Sequence, residues 1–224
     1  MPSDPPHDSA HLHVSGQAQY ADDIPLPANA LHGAFGLSVM AHGRLCELDL
    51  APVREMPGVI AVVAAADVPG DNNYGGAQHD DPIFAEGLVQ YAGQPLFGVA
   101  ATSCTLARKA ARAARVSCEP LPVILDIREA LAAQSYVLPS AHLVRGRPHE
   151  MLPQAAHRLR GSLRMGGQDH FYLEGQIAIA VPQEDGTMQI VSSTQHPTEV
   201  QQIVAHALGK RANDVTVQCR RMGG

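Results

Sequence analysis

QIAIAVPQEDGTMQIVSSTQHPTEVQQIVAHALG, residues 176–209, sets the fold class of this chain. Two short apolar runs flank Glu184, Asp185 and Gly186, whose turn preferences join strands into a hairpin. PTEVQQIVAHALG then reads as a helix. Pro197 suits the first helical position, Glu199 favours the positive N-terminal end, His206 lies in the last turn and Gly209 suits the position just past the C-terminus. NDVTVQCRRMGG, residues 213–224, returns to strand and runs into glycines. Strands and helices in this mixture predict an α+β fold.

The upstream half repeats the mixture. GAFGLSV (33–39) and VIAVVA (59–64) are short apolar runs bounded by glycine, proline and charge, as buried strands are. LAPVREMPG between them has room for barely two helical turns before Pro57 and Gly58. Residues 69–82, PGDNNYGGAQHDDP, are turn chemistry almost throughout, which predicts a surface loop or hairpin tip. VQYAGQPLFGVAA (89–101) resumes strand character, and SCTLARKAARAARV (103–116) reads as a helix with Ser103 at its N-cap. On that helix Arg108, Arg112 and Arg115 form a stripe, expected to be a solvated face. A short helix is expected after Asp126. QSYVLPSAHLVRGRPH then loosens into an inter-domain connection with a boundary near 135–145, beyond which HRLRGSLRMGG (157–167) alternates like a strand.

Composition narrows the function. A chain of 224 residues suits one large or two modest domains, and 45% apolar with 17% charged residues is enough to build cores. The formal charge of −6 repels a phosphate backbone, so nucleic acid is not an expected partner. Cys46, Cys104, Cys118 and Cys219 lie far apart with no CxxC pair, as reduced thiols of a cytoplasmic protein would. The opening MPSDPPHDSAH carries proline and acid where a secretory signal needs a basic start and an apolar run. The apolar runs fall short of the roughly 20 residues of a membrane helix.

Familiar catalytic patterns are missing. His11 with His13, and His170 with Glu174, are pairs rather than the three or four converging ligands a zinc site needs. No GxSxG elbow surrounds a serine, and neither a phosphate loop nor a dinucleotide fingerprint is present. The crowded segment is GGQDHFYLEGQ, 166–176. Gly166 and Gly167 permit close backbone approach or positive φ, and Gln168 presents both an amide donor and a carbonyl acceptor. The residues alone leave two readings open: a turn whose Gln168 caps a backbone group, or an amide that holds a polar cofactor oxygen.

GGQDHFYLEGQ, SSTQHPTEVQQIVAHALG and VQCRRMGG, in that order, resemble the molybdenum-binding large subunits of the xanthine dehydrogenase branch of the molybdenum hydroxylase family. The likeness extends upstream through HVSGQAQYADDIPLPANALHGAFGLS and MPGVIAVVAAADVPGDN, so nearly the whole chain is covered. The resemblance implies an α/β hammerhead domain over 7–135, followed by the truncated start of a molybdopterin-binding domain over 140–224. It implies that Gln168 hydrogen-bonds an oxo ligand of the molybdenum centre, beside the metal rather than ligating it. Gly167, Gly223 and Gly224 are implied to approach the molybdenum-molybdopterin cofactor through the backbone.

The family's substrate-binding and general-base residues belong to segments beyond RRMGG. No residue here, Glu174 included, is therefore assigned a catalytic role. The expectation is an N-terminal piece of a larger subunit, inactive alone, from a cytoplasmic hetero-oligomer that oxidises xanthine or hypoxanthine. Its electrons would pass through 2Fe-2S clusters and FAD on a partner subunit to NAD. The alternatives are an aldehyde or other N-heterocycle hydroxylase of the same family, or a non-catalytic assembly module.

Overall fold

The computed structural model describes residues 7–76 and 78–222. By packing, residues up to Pro122 join those from Phe171 onward in one unit, and Val123–His170 form another.

In the first unit, helix α1 (Ala10–Val14) precedes strands β1 (His32–Leu37) and β2 (Gly43–Asp49), the short helix α2 (Ala51–Arg54) and strand β3 (Val59–Ala64). Strands β4 (Leu88–Val89) and β5 (Pro95–Ala101), helix α3 (Cys104–Ala110) and strand β6 (Arg115–Pro120) follow. They make two antiparallel three-stranded sheets, in the orders β1-β5-β3 and β4-β2-β6. The central β5 is the unbroken apolar run PLFGVAA, as expected of a strand covered on both faces. Its Leu96, Phe97 and Val99 build the core with Val53, Val89, Ala107 and Ala110. Gly36 is needed at its place in β1, because a Cβ there would fall on the ring of Phe97.

The structure corrects the reading of 103–116. Ser103 does cap the helix, its Oγ accepting the Leu106 amide at 3.2 Å. The helix ends at Ala110, however, and Arg115 opens β6, where it faces Asp49 on β2. Arg108, Arg112 and Arg115 therefore do not form one helical stripe; Arg115 is 3.4 Å from the Asp49 carboxylate. Tertiary pairing with β2 outweighs the helix propensity of the alanine-rich run. β2 itself was not anticipated: GRLCELD has mixed polarity and is only partly buried.

The loop 69–82 is pinned rather than loose. Asn72 donates its side-chain amide to the Phe84 carbonyl at 2.9 Å and accepts the Phe84 amide at 3.0 Å. Asn73 bridges to Pro82.

In the second unit, helix α4 (Ile127–Ala132) starts after Asp126, whose carboxylate accepts the Arg128 amide at 2.8 Å. Helix α5 (Pro148–Met151) is a single turn. The strand expected over 157–167 does not form. Leu159 and Leu163 are 102% and 81% exposed, and among the described residues no neighbouring strand satisfies the backbone there, which alternation alone cannot replace.

The remaining elements belong to the first unit: β7 (Ala178–Pro182), β8 (Met188–Ser192), helix α6 (Pro197–Ala207) and β9 (Val215–Gln218). The hairpin β7-β8 turns at Gly186, which has φ +80°, and β8 continues through α6 to a parallel β9. Ile190, Ala205 and Val215 are its core. At the start of α6, His196 Nδ1 accepts the Glu199 amide at 3.0 Å behind Pro197. At its end, Gly70 and Asp71 of the long loop donate their amides to the Ala207 and His206 carbonyls, each at 3.0 Å. The α+β class follows from these mixed elements.

Candidate functional site

The segment 166–176 carries no regular structure. Gly166 and Gly167 have no positive φ, and a Cβ added at either would meet nothing within 4 Å. Neither glycine is required by the packing of the described residues. Gln168, Asp169 and His170 are exposed and line a concavity of 430 Å³. His170 and Glu174 both lie in this irregular stretch, and His11 and His13 lie on α1. Among the described residues no group of three or more His, Cys, Asp or Glu side chains is placed to hold a metal ion.

Glu174 acquires a definite structural role. Its Oε1 accepts the amide of Ala21 at 2.8 Å in a half-buried contact. Ala21 is 1% exposed and opens a 3-10 turn whose preceding residue, Tyr20, donates its amide to Asp23. Phe171, with φ +49°, and the Gln176–Tyr172 side-chain bond at 2.7 Å shape the chain between. Sequence reading gave Glu174 no role, because its partner lies 153 residues away.

The other candidate segment lies past the carboxyl end of β9. There β8, α6 and the parallel β9 form a single βαβ crossover. Cys219 Sγ approaches the Thr194 carbonyl at 2.9 Å and the Arg221 carbonyl at 3.0 Å, linking the two strand ends. Arg221 Nε is buried with no partner among the described residues. Gly223 and Gly224 lie outside the described residues.

Charge tuning lies elsewhere in the molecule. Burial, with the neighbouring Tyr91 second, pushes the Tyr74 phenol up. Burial and then Cys46 push the Cys118 thiol up. All four cysteines are free.

Both segments fit an oxygen-rich cofactor in donor chemistry, each taken by itself. One offers the Gln168 carboxamide beside two unencumbered glycines; the other offers an orphaned, buried guanidinium donor just before two more. Residues 15–122 match the aldehyde oxidase and xanthine dehydrogenase a/b hammerhead domain, and 132–224 match the molybdopterin cofactor-binding domain. The chain belongs to the molybdenum hydroxylase family.

Among its relatives is a xanthine dehydrogenase of Emericella nidulans, 43% identical over 222 residues that make up 98% of this chain and 16% of that protein. The xanthine dehydrogenase/oxidase of Gallus gallus is 36% identical over 97% of this chain and 16% of its own length. A nicotinate hydroxylase of Emericella nidulans is 39% identical over 98% of this chain and 17% of its own. Among solved structures, the aldehyde oxidoreductase of Desulfovibrio gigas superposes with a TM-score of 0.80 at 25% identity, over 96% of this chain and 26% of that one. The quinoline 2-oxidoreductase of Pseudomonas putida 86 shares the fold, with a TM-score of 0.82 at 24% identity over 97% of this chain and 30% of that one. The chain thus spans about one sixth of the length of the curated relatives it matches. No helix among the described residues is long and apolar enough to cross a membrane.

Proposed function

We propose that this chain is the part of a xanthine- or hypoxanthine-oxidising molybdenum hydroxylase that carries its hammerhead domain, 7–135, and the start of its molybdopterin-binding domain, 140–224. The observation that carries the reading is 43% identity to a xanthine dehydrogenase along 98% of the chain. When bound, the cofactor supplies two-electron oxidation with water as the oxygen source. Gln168 would donate its amide to a cofactor oxygen near the metal, and Gly167, Gly223 and Gly224 would admit the cofactor close to the backbone. Arg221 adds a charged donor two residues before them in the sequence. None of these groups is a general base or nucleophile, and the 224-residue chain alone is expected neither to turn over substrate nor to retain molybdenum.

A partner subunit with 2Fe-2S clusters and FAD, passing electrons to NAD in a cytoplasmic hetero-oligomer, completes the proposal. A second reading, an N-heterocycle or aldehyde hydroxylase, is favoured by the 39% identity to a nicotinate hydroxylase. Assay of the enzyme that contains this chain with xanthine, nicotinate and an aldehyde, following NAD reduction by absorbance, separates the two. Xanthine-dependent reduction is expected. Turnover of nicotinate or aldehyde without xanthine would replace the first reading with the second, and stoichiometric molybdenum with turnover in the isolated chain would overturn the assignment of roles.

A further inference from the structure

Among the described residues β1 is an edge strand, and its pairing with β5 shifts register between Gly36 and Leu37. Its one partner is β5, and HGAFGL has neither proline nor an Asp, Glu, Lys or Arg side chain. Natural sheet edges are blunted by such residues because unpaired N–H and C=O groups recruit further strands. The second sheet's edge, β6, is blunted in that way, with Arg115, Glu119 and Pro120. Along β1 and its continuation, Phe35, Leu37 and Val39 recur at every second residue and are 61%, 53% and 98% exposed. That spacing sets them on one face of an extended backbone. An edge strand without proline or a charged side chain, carrying an apolar stripe, matches the surface that captures an added strand.

A groove of 930 Å³ is lined by residues of β1 and its continuation, α3 and β6, Phe35, Leu37, Val39 and Val116 among them. Arg108 and Arg112 also line it, and no carboxylate does. Both arginines are exposed, and neither has an ion-pair partner among the described residues, whereas Arg44, Arg115, Arg147 and Arg211 each have one. In a chain of net charge −6 this is a local excess of positive charge beside an open strand edge. We propose that the groove is a docking site for an extended, acid-bearing polypeptide segment of a partner protein. The segment adds to β1 through main-chain hydrogen bonds, lays alternate apolar side chains against Phe35, Leu37 and Val39, and places carboxylates at Arg108 and Arg112.

The test uses two capped, fluorescein-labelled peptides, EVTVTVE and KVTVTVK, titrated against the 224-residue chain by fluorescence anisotropy. The acidic peptide binds, at least about tenfold more tightly than its lysine counterpart, and loses affinity with added salt. Amide resonances of Gly33–Leu37 shift on titration. Arg108→Glu with Arg112→Glu reverses the preference without altering the circular dichroism, since both side chains are exposed. Equal binding of the two peptides, or no binding of either, overturns the proposal. So does saturable self-association in sedimentation equilibrium that the double variant abolishes, because a second copy would then be the occupant.

Discussion

Gly70→Ala tests how the long loop is fixed to the end of α6. A Cβ at position 70 would clash with the carbonyl oxygen of His206 and lie 2.6 Å from the amide nitrogen of Gly209. Both are backbone atoms at a helix end, so neither can rotate away as a side-chain tip would. Relief requires the loop to retreat, which breaks the bonds from Gly70 and Asp71 to the Ala207 and His206 carbonyls. Two backbone hydrogen bonds contribute about 1 kcal/mol each. Forcing an extra methyl into a packed site costs about 1–3 kcal/mol, and the stiffer unfolded chain returns roughly 0.5 kcal/mol. The expected loss is about 2.5–4.5 kcal/mol, a large share of the roughly 5–15 kcal/mol that holds a typical domain folded. Urea unfolding of the 224-residue chain, with Gly167→Ala as control, measures it. Position 167 has open space for a Cβ and no positive φ, so the control stays within about 0.5 kcal/mol of wild type. A Gly70→Ala loss below about 1 kcal/mol, or a control that costs as much, would refute the reasoning.

Three further outcomes follow from the same geometry. Glu174→Ala leaves the Ala21 amide without its acceptor and costs about 1–3 kcal/mol, while Glu174→Gln retains much of the bond; hydrogen exchange at the Ala21 amide accelerates in the first variant more than in the second. Ser103→Ala removes the α3 cap and lowers stability by about 1 kcal/mol in the same urea assay. Arg211, hydrogen-bonded to Asp214 at 2.9 Å, holds that carboxyl below the ordinary carboxylate range. The pair's contribution is therefore present above the unfolded carboxyl value and lost as pH falls through the lower folded value. In a carboxyl-detected NMR titration, Arg211→Ala moves the Asp214 midpoint up.

Elements whose signals are local were legible in the sequence. Pro197, Gly186 and Gly209 act within a few residues of themselves, and α6 and the β7-β8 hairpin appear where they put them. Asp126 and Ser103 cap the helices that follow them. The errors arose where distant partners decide. Arg115 reads as helix until β2 pairs with it, and 157–167 reads as strand although no partner stands beside it. The site behaves likewise. Gln168 and its glycines stand out because they crowd together, whereas Glu174 acts on Ala21, and the Arg221 Nε is left without a partner among the described residues, only once the chain is folded. Residue types alone left Gln168 undecided between capping and binding. The exposed side chain and the unfilled space beside Gly167 remove the packing explanation for the glycine.

The most direct measurement of that role is molybdenum-edge X-ray absorption on the enzyme that contains this chain, comparing wild type with Gln168→Ala. The substitution is expected to leave the fold and the molybdenum content intact, because Gln168 is exposed, while altering the metal's spectrum and lowering turnover. An unchanged spectrum with undiminished turnover would contradict the placement of Gln168 beside the molybdenum centre.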